Sequence, residues 1–167
     1  DPATLPETPG AGPRHLAFHP NGRWAYLVNE LSLSLSVYAF DAERGTLRAA
    51  QRGVAVAPPG SGPGSSADIH VHPAGKFLYV SNRQGDQSNI AIARVDESSG
   101  TVTVIGHEAT RGRTPRNFAL DVEGRLLIAG NQESNDVAVF RVNPSSGGLS
   151  FVRSVKVAPG PFFVGIY

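Results

Sequence analysis

The side chains of this sequence that could do chemistry stand at repeated positions along the chain. Arg14 and His15 begin one short apolar segment, and Glu30 ends the next one. Arg83 stands in a second repeat at the position that Glu30 has in the first. A carboxylate or an imidazole can serve as a general base, and a guanidinium can stabilise an oxyanion or hold a phosphate. These residues therefore have the types that acid–base chemistry on an anionic substrate needs.

The later repeats add three candidates for binding a substrate, namely His70, Arg116 and Gln132. His70 and His72 are two residues apart and would face one side of a strand, but two imidazoles without a third ligand are weak evidence for a metal. No nucleophile-elbow, P-loop or dinucleotide-binding motif occurs. The residues themselves therefore give only weak evidence for a metal site and none for a nucleotide cofactor. We interpret His19 and His72, which precede turns, as structural.

A repeated pattern organises the whole chain. It begins at residues 13–22, 66–75 and 115–124. Each start is followed by an apolar run that ends in Asn, then by an alternating strand, a turn glycine and a last strand. The first turn glycines of the repeats, Gly22, Gly75 and Gly124, are 53 and then 49 residues apart. Four short strands with a period of roughly 40–50 residues are typical of the blades of a β-propeller.

We therefore predict an all-β fold, namely a β-propeller with three four-stranded antiparallel blades and partial flanking strands. The chain would form one partial propeller domain over residues 1–167, with blades at about 13–56, 66–110 and 115–158. Residues 160–167 align on residues 12–19, which predicts the first strand of a further blade, and residues 1–9 would end an outer strand of another blade. A β-sandwich is the rival fold, but it gives no reason for an Asn at the same strand end three times.

The candidate residues are expected to converge at one rim of the propeller. The first two strands of a blade are antiparallel, so the start of the first and the end of the second lie at the same rim. This places Arg14 and His15 beside Glu30, with the equivalent residues of the other blades around the same mouth of the central channel. The inner strands line that channel, so the site would open into it.

Within this rim, one position is constant and the next varies. The constant position holds Asn29, Asn82 and Asn131. An identical residue in every blade favours a scaffold role, such as capping the following turn. The variable position holds Glu30, Arg83 and Gln132, and a site would be built where the residue varies within a repeated frame. A salt bridge between Arg14 and Glu30 that merely ties two strands together is an equally open interpretation.

Composition limits the partners and the compartment. The 167 residues carry a formal net charge of +1 with scattered basic residues, which gives no footprint for binding nucleic acid. No apolar run approaches the ~18 residues of a membrane span, so we expect no membrane partner. The absence of cysteine excludes disulfides and thiolate chemistry and fits a reducing, cytoplasmic compartment.

Several motifs resemble the seven-bladed β-propeller lactonase family. They are residues 12–22 (GPRHLAFHPNG), 26–30 (YLVNE), 67–70 (ADIH) and 79–83 (YVSNR). The resemblance runs along nearly the whole chain and covers only the C-terminal half of such a protein. It implies a part of a seven-bladed ring that hydrolyses a sugar lactone, 6-phosphoglucono-1,5-lactone, without metal or cofactor, as a step of the pentose phosphate pathway. A carboxy-muconate cyclase of the same fold is the alternative enzyme, and a ligand- or partner-binding propeller is the non-enzymatic one.

The resemblance and the chemistry of lactone hydrolysis together suggest roles for the candidate residues. Arg14, Glu30 and Arg83 fall on positions whose counterparts line the family's proposed site. Glu30 is our candidate base with His15 as the alternative, and Arg14 would stabilise the oxyanion. Arg83, with Arg116 or His70, would hold the substrate phosphate. In the cyclase alternative the arginines would bind carboxylates instead.

The ends of the chain predict exposed blade faces. Three blades cannot close a ring, so an apolar face would be bare at each end. Phe162, Phe163, Ile166 and Tyr167 would lie on an unpaired edge. Such surfaces drive association, and we expect the missing N-terminal half or a second copy of the chain to cover them.

Overall fold

Three antiparallel sheets make up the computed structural model, which describes residues 4–166. Each sheet contains four strands in sequence order, so every strand pairs with its neighbour along the chain. The first sheet contains β1 (Pro13–Phe18), β2 (Trp24–Asn29), β3 (Ser34–Asp41) and β4 (Thr46–Ala55). The second contains β5 (Ser65–Val71), β6 (Phe77–Arg83), β7 (Asn89–Val95) and β8 (Val102–Ala109). The third contains β9 (Pro115–Leu120), β10 (Leu126–Asn131), β11 (Asp136–Val142) and β12 (Leu149–Lys156).

The prediction of three four-stranded antiparallel blades is confirmed. The only helix in the described residues is a single 3₁₀ turn, Gly85–Gln87, between β6 and β7. The described part of the chain holds no helix with the length and apolar character to cross a membrane. Inner strand β1 contacts β5, and β5 contacts β9, so the blades follow one another around a common inner edge.

The apolar core lies between the blades. Trp24 and Tyr26 of the first blade pack with Leu78 and Val80 of the second in one buried cluster. An equivalent cluster joins the second blade to the third. Burying apolar area in this way contributes about 25 cal/mol per Å². The inter-blade packing therefore fixes the relative position of the rim residues on adjacent blades.

Two histidines tie adjacent blades together at the rim opposite the candidate site. His19 Nε2 donates to the carbonyl of Gly75 at 3.0 Å, and His72 Nε2 donates to the carbonyl of Gly124 at 3.0 Å. The Nδ1 atom of each ring accepts a hydrogen bond from a nearby backbone N–H, at 3.1 and 3.0 Å. Both imidazoles are buried with both nitrogens occupied, which agrees with a structural role.

Residues 4–12 and 157–166 form no strand. A segment forms a β-strand only when it pairs with another strand. The described chain provides no further strand with which either segment could pair. Val164 lies against the third blade, where its N–H donates to Asn117 Oδ1 at 2.6 Å. Phe162 and Phe163 are each 68% exposed. The expectation that 160–167 begins a further blade therefore remains a prediction, as does association through this edge; residues 1–3 and Tyr167 lie outside the described residues.

Candidate active site

Strand pairing brings the predicted residues to one rim. In the first blade Pro13 of β1 pairs with Asn29 of β2, and in the second blade Ser65 of β5 pairs with Arg83 of β6. In the third, Pro115 of β9 pairs with Asn131 of β10. The start of each inner strand therefore lies beside the end of the next strand, as the antiparallel connection requires.

A bulge at the start of β1 directs two successive side chains towards the second blade. The register shifts between Pro13 and His15, so Arg14 is the extra residue. Successive side chains of a regular strand point to opposite faces, and a bulge breaks this alternation. Arg14 Nε donates to the carbonyl of Ala67 at 3.0 Å, and His15 Nδ1 lies 3.1 Å from Asp68 Oδ1. Both contacts reach β5 of the second blade.

Glu30 lies between two arginines, and we call Arg14, Glu30 and Arg83 the arginine–glutamate cluster. Arg14 Nη1 donates to Glu30 Oε2 at 3.2 Å, and Arg83 Nη2 donates to Glu30 Oε1. Arg83 Nη2 also donates to the carbonyl of Ser66 at 3.1 Å. The three side chains are only 18%, 28% and 14% exposed, in chain order. The prediction that Arg83 reaches the neighbourhood of Glu30 and Arg14 on this rim agrees with these contacts.

The charge of this cluster suits an anionic ligand. Burial opposes ionisation of Glu30, but the hydrogen bond from Arg83 and the charges of Arg14 and Arg83 outweigh it and lower the pKa of the carboxyl group. Glu30 is therefore ionised at neutral pH, and the cluster keeps one net positive charge. Arg83 Nε is buried and has no hydrogen-bond partner among residues 4–166. A donor of this kind is costly to leave unpaired and can be satisfied by an oxyanion.

A second group of polar side chains surrounds Asp68, and we call it the Asp68 network. Asp68 is 6% exposed, and both its oxygens accept hydrogen bonds. The donors are His15 Nδ1 at 3.1 Å, His70 Nε2 at 3.2 Å, the N–H of Ile69 at 3.0 Å, the N–H of Phe118 at 3.2 Å and Asn117 Nδ2. Burial opposes ionisation of Asp68, but the hydrogen bonds outweigh it and lower the pKa. Asp68 is therefore a buried carboxylate that holds two imidazoles at the rim.

Arg116 and Gln132 stand apart from these two groups. Both are partly buried on the same rim of the third blade, where the N–H of Gln132 donates to the carbonyl of Thr114 at 2.9 Å. Among the described residues, neither side chain makes a hydrogen bond or an ion pair. The structure thus brings together Arg14, His15, Glu30, His70 and Arg83, and among the described residues no hydrogen bond or ion pair links Arg116 or Gln132 to them.

The repeated asparagines act in the scaffold. Asn29 Nδ2 donates to Ser34 Oγ at 3.3 Å, Asn82 Nδ2 to Asn89 Oδ1 at 3.0 Å, and Asn131 Nδ2 to Asp136 Oδ1 at 2.8 Å. In each blade the partner begins the third strand, so the side chain bridges the turn that carries Glu30, Arg83 or Gln132. This interaction positions the backbone of the variable residue.

A polar cleft adjoins the arginine–glutamate cluster between the second and third blades. Its volume is about 400 Å³, and Arg83 lines it together with Ser65, Gly85, Arg113, Thr114 and Glu133. Arg113 is partly neutralised there, because its Nε lies 3.3 Å from Asp86 Oδ1 and 4.0 Å from Glu133 Oε2. Arg83 therefore provides the positive charge shared by the cleft and the cluster. Nowhere in residues 4–166 do three His, Asp or Glu side chains gather into a set that could hold a metal ion.

Comparison with known families agrees with this fold. The family model described as "Lactonase, 7-bladed beta-propeller" matches residues 1–166. The chain therefore belongs to the seven-bladed β-propeller lactonase family.

Curated proteins with similar sequences include several lactonases of one kind. The chain is 43% identical over 159 residues to the 6-phosphogluconolactonase of Formosa agariphila, with 91% of this chain and 42% of the relative covered. It is 38% identical over 164 residues to the 6-phosphogluconolactonase of Pectobacterium carotovorum, with 98% and 48% covered. The chain thus spans about half the length of the curated relatives it matches.

Solved structures of lactonases also match this chain over part of their length. A putative 6-phosphogluconolactonase from Bacteroides uniformis superimposes with a TM-score of 0.88 at 34% identity, with 98% of this chain and 46% of that chain covered. The periplasmic gluconolactonase of Pseudomonas aeruginosa superimposes with a TM-score of 0.87 at 37% identity, with 95% and 44% covered. The three blades therefore correspond to a little under half of the chain in each of these structures.

Proposed function

We propose that the intact protein hydrolyses a sugar-phosphate lactone, namely 6-phosphoglucono-1,5-lactone, to 6-phosphogluconate. The observation that carries this proposal is the net positive arginine–glutamate cluster on one rim of the blades. A lactone substrate presents a carbonyl whose oxygen becomes anionic and a phosphate that is already anionic. Both groups are bound well by guanidinium. The names of the relatives support the same reaction class.

Within this proposal the two arginines have different tasks. Arg14 stabilises the oxyanion that forms when water adds to the lactone carbonyl. Arg83 holds the phosphate, because it lines the adjoining cleft, which has room for an external anion. Glu30 holds the two guanidinium groups in place through its two oxygens. Arg116, His70 and Gln132 line the same rim and complete the substrate-binding surface.

Turnover of the lactone by the intact protein tests the proposal. The lactone also opens in water without a catalyst, so each rate is measured against an enzyme-free blank, with the product detected by a coupled dehydrogenase. We expect rapid hydrolysis of 6-phosphoglucono-1,5-lactone and slower hydrolysis of unphosphorylated glucono-1,5-lactone. A rate no higher than the blank with both lactones would refute the proposal, and turnover of a carboxy-muconate would favour the cyclase instead.

The assigned phosphate anchor has a matched control. Arg83→Ala should weaken binding of the phosphorylated lactone much more than that of the unphosphorylated one. Arg153→Ala, which removes an exposed arginine from outer strand β12, should change neither. Equal losses with both lactones on removal of Arg83 would show that this arginine does not hold the phosphate.

We further propose that the protein acts in the cytoplasm, within the pentose phosphate pathway that consumes 6-phosphogluconate. The absence of cysteine is compatible with a reducing compartment. One structural relative is described as periplasmic, so the location needs a direct test. Cell fractionation with compartment markers provides it, and recovery of the protein in a periplasmic fraction would contradict the proposal.

A further inference from the structure

The Asp68 network has the arrangement of a carboxylate that orients a histidine. Asp68 is almost fully buried and accepts hydrogen bonds from two backbone N–H groups, those of Ile69 and Phe118. These bonds fix the plane of the carboxylate. An ionised carboxylate can only accept hydrogen bonds, so each imidazole nitrogen that faces it must carry a proton.

This constraint determines the tautomer of His15. Nδ1 of His15 faces Asp68 Oδ1 at 3.1 Å and therefore donates. In the neutral ring the proton is then on Nδ1, and Nε2 keeps its lone pair. Among residues 4–166, Nε2 of His15 has no hydrogen-bond partner, and the side chain is 43% exposed. The basic nitrogen is thus free to meet a water molecule from the solvent at this rim.

Glu30 lacks this freedom. Both of its oxygens accept hydrogen bonds from arginines, and a carboxylate held by two guanidinium groups takes up a proton poorly. We propose that His15 is the general base of lactone hydrolysis and that Asp68 is the residue that positions it; this inference rests on the proposed function. Glu30 then organises the arginines instead of accepting the proton.

The position of His15 suits this step better than that of His70. His15 follows Arg14 directly, and the bulge sends both side chains to the second blade, where they contact the successive residues Ala67 and Asp68. The base and the group that stabilises the oxyanion are therefore held on one short stretch of backbone. His70 is two residues further along β5, and its ring packs edge-on against Phe118 with centroids 4.7 Å apart.

The proton and electron pairs balance in two steps. Nε2 of His15 accepts a proton from water as the water oxygen forms a bond to the lactone carbonyl carbon, and the carbonyl oxygen becomes an oxyanion beside Arg14. The oxyanion then collapses, the bond from the carbonyl carbon to the ring oxygen breaks, and the ring oxygen takes the proton from the imidazolium as it leaves as a hydroxyl. The product is the open-chain acid, and His15 returns to its neutral form.

Kinetics of variants in the intact protein test this assignment. His15→Gln should lower kcat by ~10²–10⁴-fold, the usual contribution of a general base, with little change in KM. Asp68→Asn should also lower kcat, because an amide N–H₂ towards Nδ1 would move the imidazole proton to Nε2. His107→Gln is the matched control, since His107 donates to the carbonyl of Val56 from outer strand β8, away from the channel. It should leave kcat and KM unchanged.

The pH profile separates a base from a structural residue. The charged or titratable groups around His15 on this rim are Asp68 and His70 on β5, Arg14 on its own strand, Glu30 after β2 and Arg83 at the end of β6. In the unmodified protein kcat/KM should fall on the acid side as the base is protonated, and His15→Gln should remove this fall. Imidazole added to His15→Ala should restore part of kcat, because the site is open to solvent.

The outcomes are distinct. If the intact protein hydrolyses the lactone and His15→Gln keeps full kcat with its acid-side fall, His15 is not the base. If Asp68→Asn folds and keeps full kcat, Asp68 does not position the base; the exposed His15 variants test the base itself even if this buried substitution prevents folding. Absence of turnover in the unmodified protein would overturn the proposed function and this inference with it.

Discussion

The turn glycine Gly100 packs against Trp24 of the preceding blade, and a single added methyl group tests how strongly this contact holds the blades together. Gly100 has a φ of +72°, and a Cβ built there would lie less than 3.0 Å from the indole ring. Gly147 has the same relation to Phe77, so the contact repeats between the second and third blades. The aromatic ring at the start of the second strand thus fits only against a turn without a side chain.

The cost of Gly100→Ala has two parts. Placing an L-residue in the left-handed region costs roughly 1–2 kcal/mol. Forcing a methyl group into a packed contact adds about 1–3 kcal/mol. Gly53→Ala is the matched control, because Gly53 has a φ of +67° and no atom within 4 Å of its Cβ position. It should show only the first part.

Thermal unfolding of the intact protein, followed by circular dichroism at one scan rate, compares the two variants. A loss of 1 kcal/mol lowers the midpoint of a chain about twice as long as this one by roughly 1–2 °C, because the entropy of unfolding is ~2.1 cal/mol/K per residue. Gly100→Ala should therefore unfold ~1–6 °C below Gly53→Ala, because only Gly100→Ala carries the packing cost of about 1–3 kcal/mol. Equal midpoints for the two variants would refute the argument that blade-to-blade contact at Trp24 excludes a side chain.

Three further predictions concern the rim and the histidine ties. Arg83→Ala should raise KM for the phosphorylated lactone by about 10- to 150-fold, because a hydrogen bond to a charged group contributes ~1.5–3 kcal/mol; steady-state kinetics measure this, and an unchanged KM would contradict it. Glu30 and Asp68 have lowered pKa values, so their contribution to stability is present above their ordinary values of 4.5 and 3.8 and is lost as the pH falls through the lowered ones. Denaturant midpoints should therefore drop below pH 4.5, and Glu30→Gln should make this drop shallower; an equally steep drop would count against the ion pairs. His72→Ala should cost about 1–3 kcal/mol, because it leaves the buried carbonyl of Gly124 without its donor, whereas an unchanged unfolding midpoint would mean that this tie contributes nothing.

Much of the fold could be predicted from the sequence because each repeat contains residues that mark where its strands end. The turn glycines and the strand-ending asparagines mark the limits of the first two strands in every blade, and three copies of one pattern leave few folds to consider. The convergence of Arg14, Glu30 and Arg83 also followed from the antiparallel pairing of adjacent strands. Residues 160–166 show where prediction from the repeat ends. They align on an earlier strand, but a segment becomes a strand only when another strand pairs with it.

The bulge at Arg14 and the role of Asp68 could not be predicted from the sequence, for physical reasons. A bulge at Arg14 changes which face its side chain points to, and no residue type marks it. Asp68 received no role, although it holds the position in the second repeat that His15 holds in the first. That equivalence was the available signal, because inner-strand residues at the same level of adjacent blades lie next to one another. Arg116 holds in the third repeat the position that Arg14 holds in the first. It has no acidic partner on its own blade, because the residue equivalent to Glu30 there is Gln132.

The same equivalence explains why the repeats differ where the site lies. At the level of His15 the three blades carry a histidine, an aspartate and an asparagine, and Asp68 accepts a hydrogen bond from each of the other two. At the variable position Glu30 pairs with Arg83 of the next blade. Identical residues at these levels would place carboxylate beside carboxylate or guanidinium beside guanidinium, and like charges in contact are unfavourable in a partly buried site. Packing requires the blades to be alike at Asn29 and its equivalents, whereas hydrogen bonding between blades requires a donor next to an acceptor. The blades must therefore carry different residues at the rim in order to form hydrogen bonds and ion pairs with one another there. The same differences bring together the charges that a catalytic site requires.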